Sequence, residues 1–486
     1  MKKRIISLVL VVAMLLCVLP AASAADGDPA LTGYYLSLSE SIAIKFVATN
    51  ADDCYVTFDD DTKAVYGKNG VFTYSGLCPA DLSKKITVVL HNADGTVADT
   101  KEGVSALGYC NAILKDGSTH SDYMKNLATD LINFGKAFRT YKVETGKTVH
   151  GDDFNAVTSD YASDADIFLQ DNETYDGVEY VIELNDSVDL YFKAEGAVKM
   201  EVEFDGGTYT LDEPVDGKFY FKELDPSDMR KMISVTAYDE GGTSVGTLKT
   251  SIESYAAYCN STEAIEACAQ AAAVTEAMMK YGDAATGYVL SKDSSVLYHN
   301  NFNSEVACST MSSRERDNCF IGCEDGQFVA TNRGDNSGNR VALTLLTVDT
   351  TKNYEKVSVE WDFRMTWDSA AENCAAGLHF NSTGSNTDGK LLIDACKEFR
   401  IADKVDSGYG FDYRCEKNKA YRMRVELDFT EYKYNLFIND NLVKSGDMRN
   451  YEASTYFKNV VVYTKANNSS ATATAYVDNV VVKKIS

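Results

Sequence analysis

The sequence predicts a multidomain, mainly β protein: two tandem α+β repeats, each a small β-sheet plus a helical hairpin, followed by an antiparallel β-sandwich. Three observations carry this expectation. In Val357–Thr366, apolar Val357, Val359, Trp361, Phe363 and Met365 alternate with Ser358, Glu360, Asp362, Arg364 and Thr366. Successive strand side chains point to opposite faces, so this is a strand with one apolar and one charged face. Tyr421–Thr430 has the same pattern, with Tyr421, Met423, Val425, Leu427 and Phe429 opposite Arg422, Arg424, Glu426 and Asp428. Second, the first half of the chain matches itself at a nearly constant offset. Third, the last 190 or so residues are rich in strand patterns and lack a helical period of convincing length, which predicts two packed antiparallel sheets.

In chain order, Lys2, Lys3 and Arg4 precede the apolar run Ile5–Leu19, then Pro20 and the small residues Ala22, Ser23 and Ala24. This is the pattern of a secretory signal peptide over 1–24, too short for a good membrane span. Repeat module 1 follows over 26–146, a linker over 147–169, repeat module 2 over 170–286 and the sandwich over 287–486. I-A-I-K-F-V at 42–47 matches V-D-L-Y-F-K at 188–193, and G-V-F-T-Y-S-G-L-C-P-A-D at 70–81 matches G-K-F-Y-F-K-E-L-D-P-S-D at 217–228. G-Y-C-N at 108–111 matches A-Y-C-N at 257–260, and N-F-G-K-A at 133–137 matches K-Y-G-D-A at 280–284. Within a copy the strands come first, with a hairpin turn at Asn92–Gly95. The period then turns helical: Met124, Leu127, Leu131, Phe134 and Phe138 stand three and four apart behind the N-cap candidate Ser121. In the second copy Ile265, Ala269, Ala272 and Met279 form the corresponding stripe. The stretch 147–166, rich in Asp, Ser, Thr and Ala, shows neither period and predicts an exposed linker.

Composition narrows the function. The formal net charge of −25 disfavours nucleic acid and anionic membrane surfaces. A polyanionic partner would need a local basic patch. The expected location is secreted or extracellular, released or associated with the cell surface. Export permits disulfides among the eleven cysteines that remain once Cys17 leaves with the signal peptide. There is no G-x-S-x-G, H-E-x-x-H, phosphate-binding loop or paired CxxC. The five histidines (91, 120, 150, 299 and 379) are scattered, which argues against a histidine-based triad or metal site.

The opening L-Y-H-N-N-F-N-S, the central V-S-V-E-W-D-F-R-M, Y-R-M-R-V-E-L-D-F followed by Y-N-L-F-I-N-D-N-L-V, and the closing Y-V-D-N-V-V-V-K-K resemble the concanavalin A-like lectin/glucanase jelly roll in its laminin-G-like or carbohydrate-binding forms. The resemblance spans about residues 294–486. It implies a jelly roll and a carbohydrate ligand. The tandem modules resemble uncharacterised modules of secreted Gram-positive bacterial proteins.

Glycoside hydrolysis needs paired carboxylates. In the laminarinase-like branch they come from one strand as E-x-D-x-E or E-x-D-x-x-E. Glu360 and Asp362 fill the first two positions, but Arg364 or Met365 stands in the third, so no catalytic residue is assigned. The charged face of Glu360, Asp362, Arg422, Arg424, Glu426 and Asp428 is a second choice of site, or a set of cross-strand ion pairs. The first choice is an aromatic platform for sugar rings, built of Trp367, Tyr409, Phe411 and Tyr413 with Asp406 and Arg414. Structural calcium is the cofactor for which ligands can be named: Asp478 and Asn479 with Asn300, Asn301 and Asn303, if the first and last strands pair. The expected function is non-catalytic carbohydrate binding or adhesion, with a polysaccharide or glycan of a cell wall or host surface as partner. The alternatives are a glycoside hydrolase or polysaccharide lyase with an unfamiliar catalytic set, and an adhesin for a host protein.

Overall fold

The computed structural model describes residues 12–13, 17–18, 27–38, 42–59, 61, 63–163, 169–184, 188–316, 319–324, 327–333, 340–368, 375–382, 389–395, 398–403, 413–449, 456–465 and 472–485. All but two dipeptides of the expected signal peptide lie outside them. The chain forms two compact units, one of residues 1–159 and 171–289, the other of 160–170 and 290–486.

The first unit runs through one succession of elements twice. In its first half Ala30–Leu38, Ile42–Thr49 and Val71–Leu77 form one antiparallel sheet, and Val65–Tyr66, Tyr55–Phe58, Ile86–His91 and Val97–Val104 another. The turn at Asn92–Gly95 closes with Gly95 N donating to Asn92 O. Two helices follow, Ala106–Leu114 and Asp122–Glu144, capped by Ser105 and Ser121. Each cap hydroxyl accepts from the backbone N–H three residues on, satisfying a group the helix leaves open. The second half repeats the order, from Glu179–Leu184 to the helices Ile252–Cys259, Glu266–Gln270 and Ala272–Leu290. The stripe from Met124 to Phe138 is buried as its period implies. Ile265 is not: it is 62% exposed, as the N-cap residue of the short Glu266–Gln270 helix. The buried series there is Ala271, Val274, Met278, Tyr281 and Ala285, again three and four apart.

Gly135 and Gly282 hold matching places in the two long helices. A Cβ at Gly135 would lie 2.5 Å from Leu82 Cδ1 and 2.7 Å from Pro79 O, and one at Gly282 would lie 2.7 Å from Met229 Sδ and 3.1 Å from Pro226 O. Each helix therefore rests with its backbone against the single-turn helix Pro79–Asp81 or Pro226–Asp228. Gly135→Ala should cost about 1–3 kcal/mol through overpacking, despite the better helix propensity of alanine. Thermal melting followed by the far-ultraviolet helix signal would check this.

The second unit is a two-layer antiparallel sandwich. One sheet runs Arg314–Arg316, Cys319–Glu324, Gln327–Arg333, Thr472–Lys484, Lys356–Trp367, Ala420–Asp428, Lys433–Ile438 and Asn441–Asp447, with Val296–Asn300 also on Thr472–Lys484. The other runs Arg340–Thr347, Asn459–Lys465, Ala375–Phe380, Leu391–Ala395, Glu398–Ala402 and Tyr413–Arg414. Val357 faces Leu427, Val359 Val425, Trp361 Met423 and Phe363 Tyr421. The apolar faces read from the sequence thus coincide across the pair. They pack on Leu378, Phe380, Ile393, Phe399, Val460 and Val462 of the other sheet. Trp361 meets Phe380 and Phe363 meets Phe399, with ring centroids 6.2 and 5.3 Å apart.

Most of the described residues over 147–163 are exposed, as expected of the linker, but a few contacts tether it. Residues 160–170 belong to the second unit, where Ala162, Ser163 and Gln170 are buried and Val306 N donates to Asp160 O. Phe154 is buried in the first unit, and Asn133 exchanges two hydrogen bonds with the backbone of Val157. Between these tethers the polar segment is solvated, as its composition implies.

Burial, and then the charge of Lys483, push the His299 imidazole down to about 4. Below the ordinary histidine pKa of about 6.5 the unfolded chain takes a proton that the folded chain refuses, so stability should fall from pH 6.5 towards 4. His299→Gln should flatten that part of a melting-temperature profile.

Candidate functional site

Of the first-choice platform, Trp367, Tyr413 and Arg414 lie among the described residues. Asp406, Tyr409 and Phe411 lie outside the described residues. Trp367 is partly buried against the core cluster, as is Tyr413. Strand parity explains both. Trp367 is two residues beyond core Met365, and Tyr413 stands directly opposite core Phe399, so each faces inward. Tyr413 meets the rings of Phe399 and Tyr421 at 6.1 Å. Arg414, alternating with it, is exposed.

The second-choice face is a lattice of cross-strand pairs. Arg422 Nε lies 3.3 Å from Asp362 Oδ1, and Lys356 Nζ lies 2.9 Å from Asp428 Oδ2. Arg424 bonds Glu426 and lies 3.7 Å from the centroid of the Phe437 ring. Ser358 donates to Glu360. Asp362 also accepts from Gln170 Nε2 at 3.2 Å and from Asn479 Nδ2 at 2.8 Å. Each carboxylate of this face is thus engaged, which suits a rigid sheet surface rather than an acid/base pair.

The calcium set meets as the sequence expects, since Val296–Asn300 pairs with Thr472–Lys484. Its polar atoms serve the turn. Asn300 Oδ1 accepts from Phe302 N, Asn300 Nδ2 donates to Ala307 O, and Asn301 Oδ1 accepts from Asn303 N. With its amide nitrogen turned towards them, buried Asn303 donates to Asp478 Oδ2 at 3.3 Å and to Asn301 O at 2.7 Å. Calcium takes six to eight oxygens, and here the side-chain oxygens of Asn300 and Asn301 each accept from a backbone N–H of the turn. Among the described residues no three His, Cys, Asp or Glu side chains group as a metal site.

The polar chemistry instead gathers on the outer face of the six-stranded sheet. Leu378 and Phe380 face the core, so His379 faces out. Leu391, Ile393 and Ala395 face the core, so Lys390, Leu392 and Asp394 face out. On the third strand Val460 and Val462 face the core and Tyr463 faces out. His379 Nε2 and Asp394 Oδ1 are 2.7 Å apart, and the imidazole stacks on Tyr463 with centroids 4.9 Å apart. His379, Asp394 and Tyr463 are each at most 2% exposed. His379 Nδ1 is buried without a hydrogen-bond partner, and so is Lys390 Nζ. Burial, and then the like charge of Lys458, hold the Lys390 ammonium below the usual lysine range. The arrangement can donate and accept hydrogen bonds, and a histidine oriented by a carboxylate beside a tyrosine can move protons.

Scattered histidines had argued against such a set. Histidine and aspartate come together from neighbouring strands, where His379 faces Leu392 and Gly377 faces Asp394. The available signal was parity: in A-G-L-H-F and L-L-I-D-A the polar residue sits opposite the apolar series.

No helix among the described residues is long and apolar enough to cross a membrane. No family model and no curated protein matches the chain. Solved structures to which it is similar include the alginate lyase Aly36B in complex with an alginate trisaccharide, at 17% identity over 40% of this chain and 99% of that one, with a TM-score of 0.30. They include a sialidase, at 9% identity over 94% of this chain and 50% of that one, TM-score 0.30. A third is the carbohydrate-binding module CBM66 from Bacillus subtilis, at 14% identity over 35% of this chain and 91% of that one, TM-score 0.21. Likenesses this remote leave the chemistry to be read from the side chains of this chain.

Proposed function

We propose that this is an exported polysaccharide-binding protein whose ligand is engaged by the outer face of the six-stranded sheet in its C-terminal unit. The observation that carries this reading is the pair of buried, unpartnered polar atoms on that face, His379 Nδ1 and Lys390 Nζ. A buried polar group without a partner costs about 1–3 kcal/mol. Such groups are rare in folded proteins, and a functional site is a standing reason for one. A polysaccharide supplies a dense array of hydroxyl donors and acceptors to meet them. The leader pattern over 1–24 supports export, and the two α+β halves act as spacer or surface contact.

A second reading is favoured by one specific feature, the 2.7 Å His379–Asp394 contact beside Tyr463. Asp394 fixes the imidazole, which then serves as base or acid, with Tyr463 as its partner in proton transfer. That is chemistry for cleaving a polysaccharide, by elimination or by hydrolysis.

One experiment separates the two. The full chain is titrated calorimetrically with a polysaccharide panel, and each mixture is assayed for new chain ends. Binding without new ends supports the binding module, and new ends that vanish in His379→Gln support the enzyme. His379→Gln is expected to weaken binding at least tenfold while the protein stays folded. Undiminished binding by that variant would remove the face from the account.

A further inference from the structure

We infer that Lys390 marks a subsite for an anionic sugar, one carrying a carboxylate or sulfate group. This rests on the reading of the outer face just given and names the class of ligand. In a chain of net charge −25, lysines are outnumbered by carboxylates able to pair with them. Lys390 nevertheless has no such partner. It is 3% exposed, its Nζ makes no hydrogen bond, and it stands over the ring of Tyr432, with the centroid 5.7 Å away.

Its surroundings add positive charge rather than remove it. Lys458 acts on it from the neighbouring segment, where its backbone N–H donates to Asn381 Oδ1. Arg449 N donates to Lys390 O at 2.8 Å, which brings a second cationic residue to the same corner. The backbone there is shaped to hold this geometry: Tyr432 and Asn381 take φ values of 55° and 51°, a region side chains of tyrosine size rarely enter. Lys390 immediately precedes the strand Leu391–Ala395 that carries Asp394, four residues before it, or about 13 Å.

The physical cost makes the case. A buried unpaired ammonium is unfavourable, and an apolar side chain of similar length would be more stable. A bound carboxylate or sulfate supplies the missing counter-charge and the hydrogen-bond acceptors in one step.

The test uses Lys390→Met in the full chain, with Lys390→Arg as the conservative variant. Binding is measured for a neutral, a uronic acid and a sulfated oligosaccharide series, and each variant is melted. The inference predicts that the wild type favours one or both anionic series. Lys390→Met should lose roughly 10- to 100-fold in affinity for them and little for neutral sugars. It should also raise the melting temperature by about 2 °C or more, and Lys390→Arg should retain part of the anionic preference. A preference for neutral sugars, or an anionic preference unchanged in Lys390→Met, overturns the inference and leaves the sheet-face reading standing. Failure of the wild type to bind any series overturns both.

Discussion

Trp361→Ala is expected to destabilise the C-terminal unit by about 3–5 kcal/mol, the usual cost of removing a large buried aromatic side chain. Trp361 is 2% exposed, sits mid-strand between the two sheets and meets Phe380 across the core. Its neighbours on the same face, Val359 and Phe363, and its partner Met423 are equally enclosed. Close packing leaves them little room to collapse into the void. The chain has two tryptophans, Trp361 and Trp367, and both belong to this unit. Fluorescence-monitored denaturation of the variant therefore reports this unit alone through Trp367. A loss below about 1 kcal/mol would contradict the described core.

Asp362→Ala should be nearly as costly, at about 3 kcal/mol or more, because the carboxylate holds three partners at once. Arg422 Nε, Gln170 Nε2 and Asn479 Nδ2 converge on its two oxygens. Deleting it leaves a guanidinium and two amides short of an acceptor in a nearly buried place. Asp362→Asn, which keeps one acceptor oxygen, should cost less. Gln170 comes from the polar segment over 160–170, so the alanine variant should also loosen that segment. Limited proteolysis checks this by faster cleavage near residue 165 in Asp362→Ala than in the wild type. Equal cleavage would show that Gln170 is not held by Asp362.

The strands and their inward faces were legible in the sequence because alternation is a local property. The apolar and charged faces of Val357–Met365 and Tyr421–Phe429 follow from alternation, while their pairing is set by the fold. The strands-then-helices order of the first unit was legible for a similar reason, since the period changes from two to between three and four along the chain. Ile265 misled because a helical stripe read by spacing alone runs through the break at Ala271, where the described helix begins anew at Ala272. Trp367 follows a charged strand and looks like its continuation, while its odd-numbered parity with Met365 turns it towards the core, against which it is partly buried. His379 was passed over because no close neighbour in sequence shares its chemistry. Its partner Asp394 is fifteen residues away and reaches it only through strand pairing. Lys390 could not have been singled out at all: an unpaired buried cation is defined by what fails to approach it in space.

The central claim is that ligand lies on the outer face of the six-stranded sheet. The most direct measurement compares polysaccharide affinity in two double variants of the full chain, His379→Gln/Tyr463→Phe and Trp367→Ala/Tyr413→Ala, each first shown to be folded. The account predicts that the first pair abolishes binding while the second leaves it within a few-fold of the wild type. The reverse pattern would contradict the account and return the site to the aromatic edge.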